Sequence, residues 1–250
     1  MAYGGLRRSY LVVAPIGVAG PLPLIIDLSG RAVSASYEAA RMDWQAVTTR
    51  AVIVFPSDVG LTWDAGNCCG SSAENHVDDI GFLEAVTARV LATVSVADPA
   101  RVYLAGYSNG GKMALDLACQ DPDGWKAVAV YGATATAACP DFPATSLQVG
   151  ASTGDPELTM GPGSAPHSIH GFPEPTVDDQ VTIARRAADC SPQDSTSTAG
   201  ALTTTTWSCA AGRQVALAVY SGGSHSWPQP SGETPGATAT MWQFFVSQGA

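Results

Sequence analysis

The sequence predicts an α/β fold in which helices flank a mostly parallel central sheet. Short apolar and β-branched runs alternate with longer stretches whose apolar residues recur at helical spacing. This alternation is typical of parallel strands joined by crossover helices. The chain has 250 residues, which suits one substantial hydrophobic core, and we expect a single domain over residues 1–250.

The elements of the first half follow from local composition. Strands are expected at residues 8–15, 22–30 and 51–57, because these segments are short and rich in apolar and β-branched residues. A helix is predicted over residues 77–94, where apolar residues recur at helical spacing. Two aspartates at its start support this helix, since negative charge is favourable there.

The second half continues the alternation. Strands are predicted at residues 101–108, 126–133, 145–153 and 214–223, and helices at residues 110–120, 177–190 and 236–248. A Ser/Thr-rich tract at residues 195–206 has a cysteine on each side, so we expect a surface loop or hairpin rather than a linker between domains.

The charge and hydropathy of the chain exclude two classes of partner. With a net charge of −10 and only 12 Lys and Arg residues, the chain would repel a phosphate backbone, so no nucleic acid partner is expected. The longest apolar stretches are broken by Pro, Gly or Asp well before the roughly 18 residues of a membrane span. We therefore expect a soluble protein without a membrane partner. We also expect a monomer.

Cysteine usage indicates an oxidising compartment. The chain has six cysteines, an even number without metal-type spacing, which favours disulfides over a metal site. We expect a secreted protein in its mature form, without a signal peptide. One predicted bridge joins Cys190 to Cys209 across the Ser/Thr-rich tract, and a second joins Cys119 to Cys139.

Two further cysteines, Cys68 and Cys69, are adjacent in the sequence. Their Cα atoms are expected about 3.8 Å apart, which is below the usual disulfide range. They form either a vicinal bridge or two thiols that are paired elsewhere or left free. A cysteine nucleophile is the competing interpretation, but no base can be assigned to it.

A serine motif suggests nucleophilic catalysis. Residues 106–110, Gly-Tyr-Ser-Asn-Gly, match G-x-S-x-G between a predicted strand and a predicted helix. The motif holds the serine on a sharp turn, where side chains at the two glycines would collide with neighbouring backbone. Ser108 is therefore the candidate nucleophile, with a structural turn as the alternative.

A serine nucleophile requires a base, usually histidine. His225 directly follows the last predicted strand, where an α/β-hydrolase presents its catalytic histidine. A surface loop histidine is the alternative interpretation. His76 is expected at a helix start or on the surface, and His167 and His170 on the surface or at the rim of the cleft.

The third member of the triad should be an acid between serine and histidine in the sequence. Asp155 follows the predicted strand at residues 145–153, at the edge of the sheet where ligand chemistry collects in open α/β sheets. A turn-forming Asp-Pro pair is the alternative. The remaining aspartates precede that strand, lie on a predicted helix or lie between Cys190 and Cys209.

Other residues are candidates for supporting roles. An oxyanion hole would use the backbone N–H of Asn109 and that of Arg31 or Gly30. Trp63 and Trp227 could offer a flat apolar face to substrate, or could pack beneath the site loops. Lys112 is expected to be solvated or to pack on its helix.

Six stretches follow one another over most of the chain: "GGLRRSYLVVAP", "PLPLIIDLSG", "VIVFPSDVGLTWDAGNCCG", "NHVDDIGFLEAV", "RVYLAGYSNGGKMALDLAC" and "GGSHSWP". They resemble the secreted esterases grouped with poly(3-hydroxybutyrate) depolymerases and with the feruloyl and acetyl xylan esterases of carbohydrate esterase family one. The resemblance implies an α/β-hydrolase that cleaves carboxylic esters without a cofactor, through Ser108, Asp155 and His225.

Two segments depart from the pattern of that family. Such proteins usually carry His-Gly where this chain has Ser29-Gly30, and His-Gly-x-x-Asp where it has "VGASTGD". The departures leave the ester open: a polyester of the polyhydroxyalkanoate type or an aryl/acyl ester, or alternatively a feruloyl or acetyl ester of plant cell-wall polysaccharide. A serine peptidase and a catalytically inactive binding module are alternatives of another class.

Overall fold

The computed structural model describes residues 1–66, 68–136, 139, 142–161 and 174–250. Its strands are β1 (Ala2–Tyr3), β2 (Leu6–Arg7), β3 (Tyr10–Val13), β4 (Leu22–Leu28), β5 (Val52–Pro56), β6 (Ala97–Tyr107), β7 (Ala127–Tyr131), β8 (Ser146–Ser152), β9 (Cys190–Ala199), β10 (Leu202–Cys209) and β11 (Gln214–Tyr220). Its α-helices are α1 (Ala35–Met42), α2 (Trp44–Val47), α3 (Gly70–Glu74), α4 (Asp79–Thr93), α5 (Asn109–Gln120), α6 (Val177–Ala187) and α7 (Ala237–Ser247).

A nine-stranded mixed sheet forms the centre of the molecule, in the order β3-β5-β4-β6-β7-β8-β11-β10-β9. The strands from β5 to β11 in this order are parallel to their neighbours. At one end β3 pairs antiparallel with β5, and at the other β10 and β9 add an antiparallel hairpin. The predicted mostly parallel sheet is therefore confirmed.

Both faces of the sheet are buried because its strands alternate apolar residues between two layers. In β4, Leu24 and Ile26 belong to the hydrophobic cluster that includes residues of α4, α5 and α6. Ile25 points to the opposite face and belongs to the cluster that includes residues of α1, α2 and α7. This two-sided burial explains why the strands are almost continuously apolar in sequence.

Each predicted strand and helix is present, with its ends shifted by a few residues. The Ser/Thr-rich tract forms the hairpin β9–β10, which is one of the two predicted alternatives. The sequence did not predict the short strands β1 and β2 or the helices α1, α2 and α3. Of these, α2 and α3 have only four and five residues, too few to show a helical period.

The cysteines of the described chain are all paired. The predicted bridges Cys190–Cys209 and Cys119–Cys139 are present, and Cys68 and Cys69 form the vicinal bridge. In the described part of the chain, no helix combines the length and apolar composition that crossing a membrane requires. His167 and His170 lie outside the described residues.

The topology brings three candidate site residues to one edge of the sheet. Ser108 follows β6, Asp155 comes shortly after β8, and His225 comes shortly after β11. Because these strands are parallel, their carboxyl ends meet at the same edge.

Candidate active site

Ser108 lies at the sharp turn between β6 and α5. Its backbone has φ 53° and ψ −123°, a positive-φ conformation that non-glycine residues adopt rarely. A Cβ at Gly106 would collide with the backbone of Gly110, and one at Gly110 would collide with the carbonyl oxygen of Leu28. Both glycines of the motif are therefore required by close backbone contacts, as the sequence suggested.

The structure brings Ser108, His225 and Asp155 together in one hydrogen-bonded series. His225 Nε2 lies 2.8 Å from Ser108 Oγ, and His225 Nδ1 lies 2.8 Å from Asp155 Oδ2. The Asp155 side chain is fully buried, and its other oxygen accepts a hydrogen bond from the backbone N–H of Glu157 at 2.8 Å. This arrangement can move a proton from the serine hydroxyl to the imidazole.

Tyr107 fixes the position of the imidazole from the side. Its hydroxyl donates a hydrogen bond of 2.9 Å to the backbone carbonyl of His225, and its ring stacks on the imidazole with 5.3 Å between centroids. The Tyr107 side chain is buried, and this burial raises the pKa of Tyr107 to about 12. Tyr107 therefore stays protonated and donates this hydrogen bond throughout the neutral range.

A cavity of about 370 Å³ opens beside Ser108. The described residues that line it include the candidate nucleophile, the candidate base and both candidate oxyanion donors: Arg31, Ala32, Val33, Arg41, Cys69, Tyr107, Ser108, Asn109, Lys112, Gly132, Glu157, Glu174 and His225. Asn109 is the first residue of α5, so its backbone N–H has no partner within the helix. This N–H is available to an oxyanion.

The side chain of Asn109 is held by the backbone of Trp63. The Trp63 N–H donates to Asn109 Oδ1 at 2.7 Å, and Asn109 Nδ2 donates to the Trp63 carbonyl at 3.1 Å. The same carbonyl accepts a hydrogen bond from the N–H of Cys69 at 3.2 Å. The loop that carries the vicinal disulfide is therefore tied directly to the residue that follows Ser108.

Trp63 and Trp227 do not line the cavity, so the expectation that they face the substrate is corrected. The Trp63 side chain is fully buried, and its Nε1 donates to the carbonyl of Ser29 at 3.0 Å. Trp227 is buried edge-on against Tyr107 and Tyr131. Both rings pack beneath the site loops, which is the second of the two predicted alternatives.

Lys112 is also placed differently from the expectation of a solvated or helix-packing residue. It is buried, and its Nζ forms an ion pair with Glu174 at the cavity wall. Because Lys112 lies four residues after Ser108, it occupies the next turn on the same side of α5. That spacing is a signal in the sequence, whereas nothing in the sequence indicates its partner 62 residues away.

Sequence reasoning missed a buried group of charges behind the cavity. Arg41 lines the cavity with its guanidinium carbon 4.4 Å from the Tyr107 ring centroid, and it forms an ion pair with buried Glu38. Burial raises the pKa of Glu38, and the neighbouring charge of Asp27 raises it further. Asp27 is fully buried, which raises its own pKa, and it accepts a hydrogen bond from Trp44 Nε1.

Ser29 stands where the resembling family carries histidine. Its side-chain oxygen donates a long hydrogen bond of 3.5 Å to Asp58 Oδ2, and its carbonyl accepts from Trp63. Burial raises the pKa of Asp58 to about 6, with a further contribution from the charge of Asp79. The Ser29 side chain therefore faces a carboxyl group that gains a proton in mildly acidic solution.

Comparison with known sequences gives distant relatives. No protein-family model matches the chain. A protein of Nocardia uniformis subsp. tsuyamanensis named "Putative esterase NocK" is 25% identical over 90% of this chain and 72% of its own length. A poly(3-hydroxybutyrate) depolymerase of Ralstonia pickettii is 32% identical over 117 residues, which cover 42% of this chain and 24% of that protein.

Solved structures share the fold over nearly the whole chain. An acetyl xylan esterase from Aspergillus awamori has a TM-score of 0.66 at 11% identity, with 95% of this chain and 93% of that one covered. A Bacillus cereus carboxylesterase has a TM-score of 0.58 at 9% identity, with 96% and 94% covered. The chain therefore has the α/β-hydrolase fold of these solved structures, and its sequence is distantly similar to NocK and to the Ralstonia depolymerase.

Proposed function

We propose that the protein is a serine ester hydrolase that acts through an acyl-enzyme, with residues 1–250 as one catalytic domain. The observation that carries this proposal is the hydrogen-bonded series of Ser108, His225 and Asp155 at the wall of the cavity. The two sequence relatives, one named an esterase and one a depolymerase of a polyester, support the same class of reaction.

Acylation begins when Ser108 Oγ attacks the ester carbonyl and His225 Nε2 takes the serine proton. Asp155 accepts the hydrogen bond of His225 Nδ1–H, which sets the tautomer and stabilises the imidazolium. The backbone N–H groups of Asn109 and Arg31 stabilise the charge that develops on the carbonyl oxygen. When the tetrahedral intermediate collapses, the C–O bond to the alcohol breaks and His225 gives its proton to the departing oxygen.

Deacylation repeats these steps with water as the nucleophile. His225 takes a proton from the water as its oxygen attacks the acyl carbon, and the second tetrahedral intermediate forms. The bond to Ser108 Oγ then breaks, His225 returns the proton to the serine, and the carboxylic acid leaves. The products are one alcohol and one acid, and no cofactor takes part in this scheme.

For the substrate, we propose a polyester of the polyhydroxyalkanoate type or an aryl/acyl ester. The match to the Ralstonia depolymerase supports the polyester. A panel of polyhydroxybutyrate film, methyl ferulate, acetylated xylan and short nitrophenyl esters tests it. Faster release of ferulate or acetate than cleavage of the polyester would favour the alternative substrate, a feruloyl or acetyl ester of plant cell-wall polysaccharide. Faster cleavage of casein than of any ester would favour a serine peptidase.

We further propose that the protein works outside the cytoplasm. The disulfides Cys68–Cys69, Cys119–Cys139 and Cys190–Cys209 support this location, since such bonds persist in oxidising compartments. Fractionation of producing cells, followed by immunodetection in the medium, tests the proposal.

Replacing the nucleophile gives the most direct test. Ser108→Ala should abolish turnover of a short nitrophenyl ester, because no other hydroxyl occupies the position beside His225 Nε2 in the described residues. It should also abolish labelling by a fluorophosphonate probe. Ser195→Ala, in the exposed hairpin, is the matched control and should keep both ester turnover and labelling by the probe. A Ser108→Ala protein that still turns over the ester would contradict the proposal.

The acid is tested separately. Asp155→Asn should lower kcat by roughly 10³–10⁴-fold, because the amide favours the wrong tautomer of His225. The fold should be retained, as checked by circular dichroism. Asp123→Asn, at an exposed aspartate, is the control. Turnover close to that of the wild type would assign the acid role to another residue.

A further inference from the structure

A second carboxylate lies at the imidazole, on the side opposite Asp155. Glu157 Oε2 is 3.3 Å from His225 Nε2, the same nitrogen that faces Ser108. The Glu157 side chain is 43% exposed, whereas that of Asp155 is fully buried. Glu157 also lines the cavity, and it takes no part in the proposed acylation and deacylation steps.

The turn that fixes the acid also places Glu157. The N–H of Glu157 donates to Asp155 Oδ1 at 2.8 Å, which leaves Asp155 Oδ2 for His225 Nδ1. Two residues therefore contact opposite nitrogens of one ring from a single short turn. Because the backbone of Glu157 is tied to the buried carboxylate, its side chain is kept beside the histidine.

The position of Glu157 matters because of what happens at Nε2. In ester cleavage this nitrogen delivers its proton to the departing alcohol oxygen. The alcohol portion of the substrate must then lie against Nε2 as it leaves. A substituent on the carbon next to that oxygen would then come close to the Glu157 carboxylate, which lies 3.3 Å from Nε2.

The other charges of the cavity are arranged differently. Lys112 and Arg41 are paired with Glu174 and Glu38, so each of these cations has its own carboxylate. Within the described residues Glu157 forms no ion pair with a lysine or an arginine, and its carboxylate lies 3.3 Å from His225 Nε2. Arg31 comes from the loop after β4, at the proposed oxyanion side of the site rather than in the turn that contains Asp155.

We propose that Glu157 selects the alcohol portion of the ester. It favours an alcohol that carries a positive charge or a hydroxyl donor beside the ester oxygen, and it disfavours an alcohol that carries a carboxylate there. This inference rests on the proposed ester hydrolysis and names the part of the substrate that Glu157 contacts. The half-exposed carboxylate is screened by solvent, so the discrimination is moderate.

Four acetate esters with the same acyl group test the proposal. They are acetylcholine, 2-hydroxyethyl acetate, neutral 2-methoxyethyl acetate and anionic acetoxyacetate, and kcat/KM is measured for each. Glu157→Gln should lower the ratio of kcat/KM for acetylcholine to that for acetoxyacetate by about five- to tenfold relative to the wild type. Comparing ratios between proteins cancels the intrinsic reactivity of each ester.

Two further variants sharpen the result. Glu157→Lys should reverse the preference and favour acetoxyacetate, which loss of a merely structural contact would not do. Glu233→Gln, at an exposed glutamate away from the cavity lining, should leave the ratio as in the wild type. High salt should narrow the wild-type ratio, because it screens the charge of Glu157.

The outcomes separate this inference from the proposed function. A ratio that stays within about twofold of the wild type in both Glu157 variants would overturn the inference, as would an equal loss on all four esters. A wild-type protein that hydrolyses none of the esters and is not labelled at Ser108 by a fluorophosphonate would overturn the proposed function, and the inference with it.

Discussion

Asp58 is a half-buried carboxyl group that makes stability depend on pH in an uncommon direction. Burial raises its pKa to about 6, whereas an aspartate in an unfolded chain has a pKa of about 4. Between these values the folded protein binds more protons than the unfolded chain. The stability from this group is therefore fully present below about pH 4 and is lost as the pH rises through about 6.

Asp58→Asn removes this dependence, because the amide does not ionise. We compare the Tm of the variant minus the Tm of the wild type at pH 4 and at pH 7.5. This difference should be about 2–4 °C more positive at pH 7.5, a range that allows for solvent screening of a half-buried group. Thermal unfolding followed by circular dichroism measures it. Asp123→Asn, at an exposed position, should show a constant difference. A constant difference for Asp58→Asn as well would contradict the raised pKa.

At the residue scale, local motifs explain what the sequence could predict. Ser108 stands out because the glycines around it are demanded by the backbone of the same turn. His225 and Asp155 follow from strand ends, which local patterns also reveal. The pairing of Lys112 with Glu174 and the burial of Trp63 depend on contacts between distant parts of the chain, and no local pattern encodes those contacts.

Helix α6 shows how one hydrogen bond at an element's end contributes to stability. The hydroxyl of Thr176 accepts from the N–H of Asp179 at 3.0 Å and caps the helix. Val181 and Ala184 of this helix pack in the same hydrophobic cluster as Val149 of β8 and Val215 of β11. α6 therefore covers the strands that lead to Asp155 and His225.

Removing the cap hydrogen bond should destabilise helix α6 and its packing over β8 and β11. Thr176→Ala should cost about 1 kcal/mol of folding free energy, which corresponds to a fall in Tm of about 2–4 °C for a chain of this size. Thr176→Ser keeps the acceptor oxygen and should lose less. If the alanine and serine variants unfold at the same temperature, the hydrogen bond is not the source of the effect.

Among the secondary-structure elements, the length of a helix determined whether the sequence could predict it. The helix α4 has 15 residues and repeats its apolar positions often enough to be visible in sequence. Helix α1 has eight residues, about two helical turns, and it begins after the loop that follows β4. Missing α1 also meant missing Glu38 and Arg41, so the charged group behind the cavity could not be predicted.

For the whole molecule, the bridge between Cys190 and Cys209 joins the first residue of β9 to the last residue of β10 and so closes the open end of the hairpin. The two cysteines are 19 positions apart in the sequence. Cys209 lies close to the start of β11, where the parallel strands have their amino-terminal ends. The candidate site lies at the other ends of these strands, their carboxyl ends. The bridge therefore restrains the chain without touching the candidate site.

Replacing both cysteines separates stability from catalysis. The double variant Cys190→Ser and Cys209→Ser should lose about 3 kcal/mol of stability by the chain-entropy model, or about 6–12 °C in Tm. Ester turnover at 20 °C should remain close to that of the wild type. Ser208→Ala, beside the bridge, is the control. A large loss of turnover in a double variant that is still folded would connect the hairpin to the site.

The same hairpin has a further consequence for the covalent structure of the protein. Its turn at Gly200 lies near the end of β11, while its bridge lies at the other end of the strands. A protease that cut the turn would divide the chain into two polypeptides joined only by Cys190–Cys209. The nicked molecule would migrate as one species in a denaturing gel until its disulfides were reduced. A circularly permuted chain with its termini at this turn would keep the order of the parallel strands unchanged.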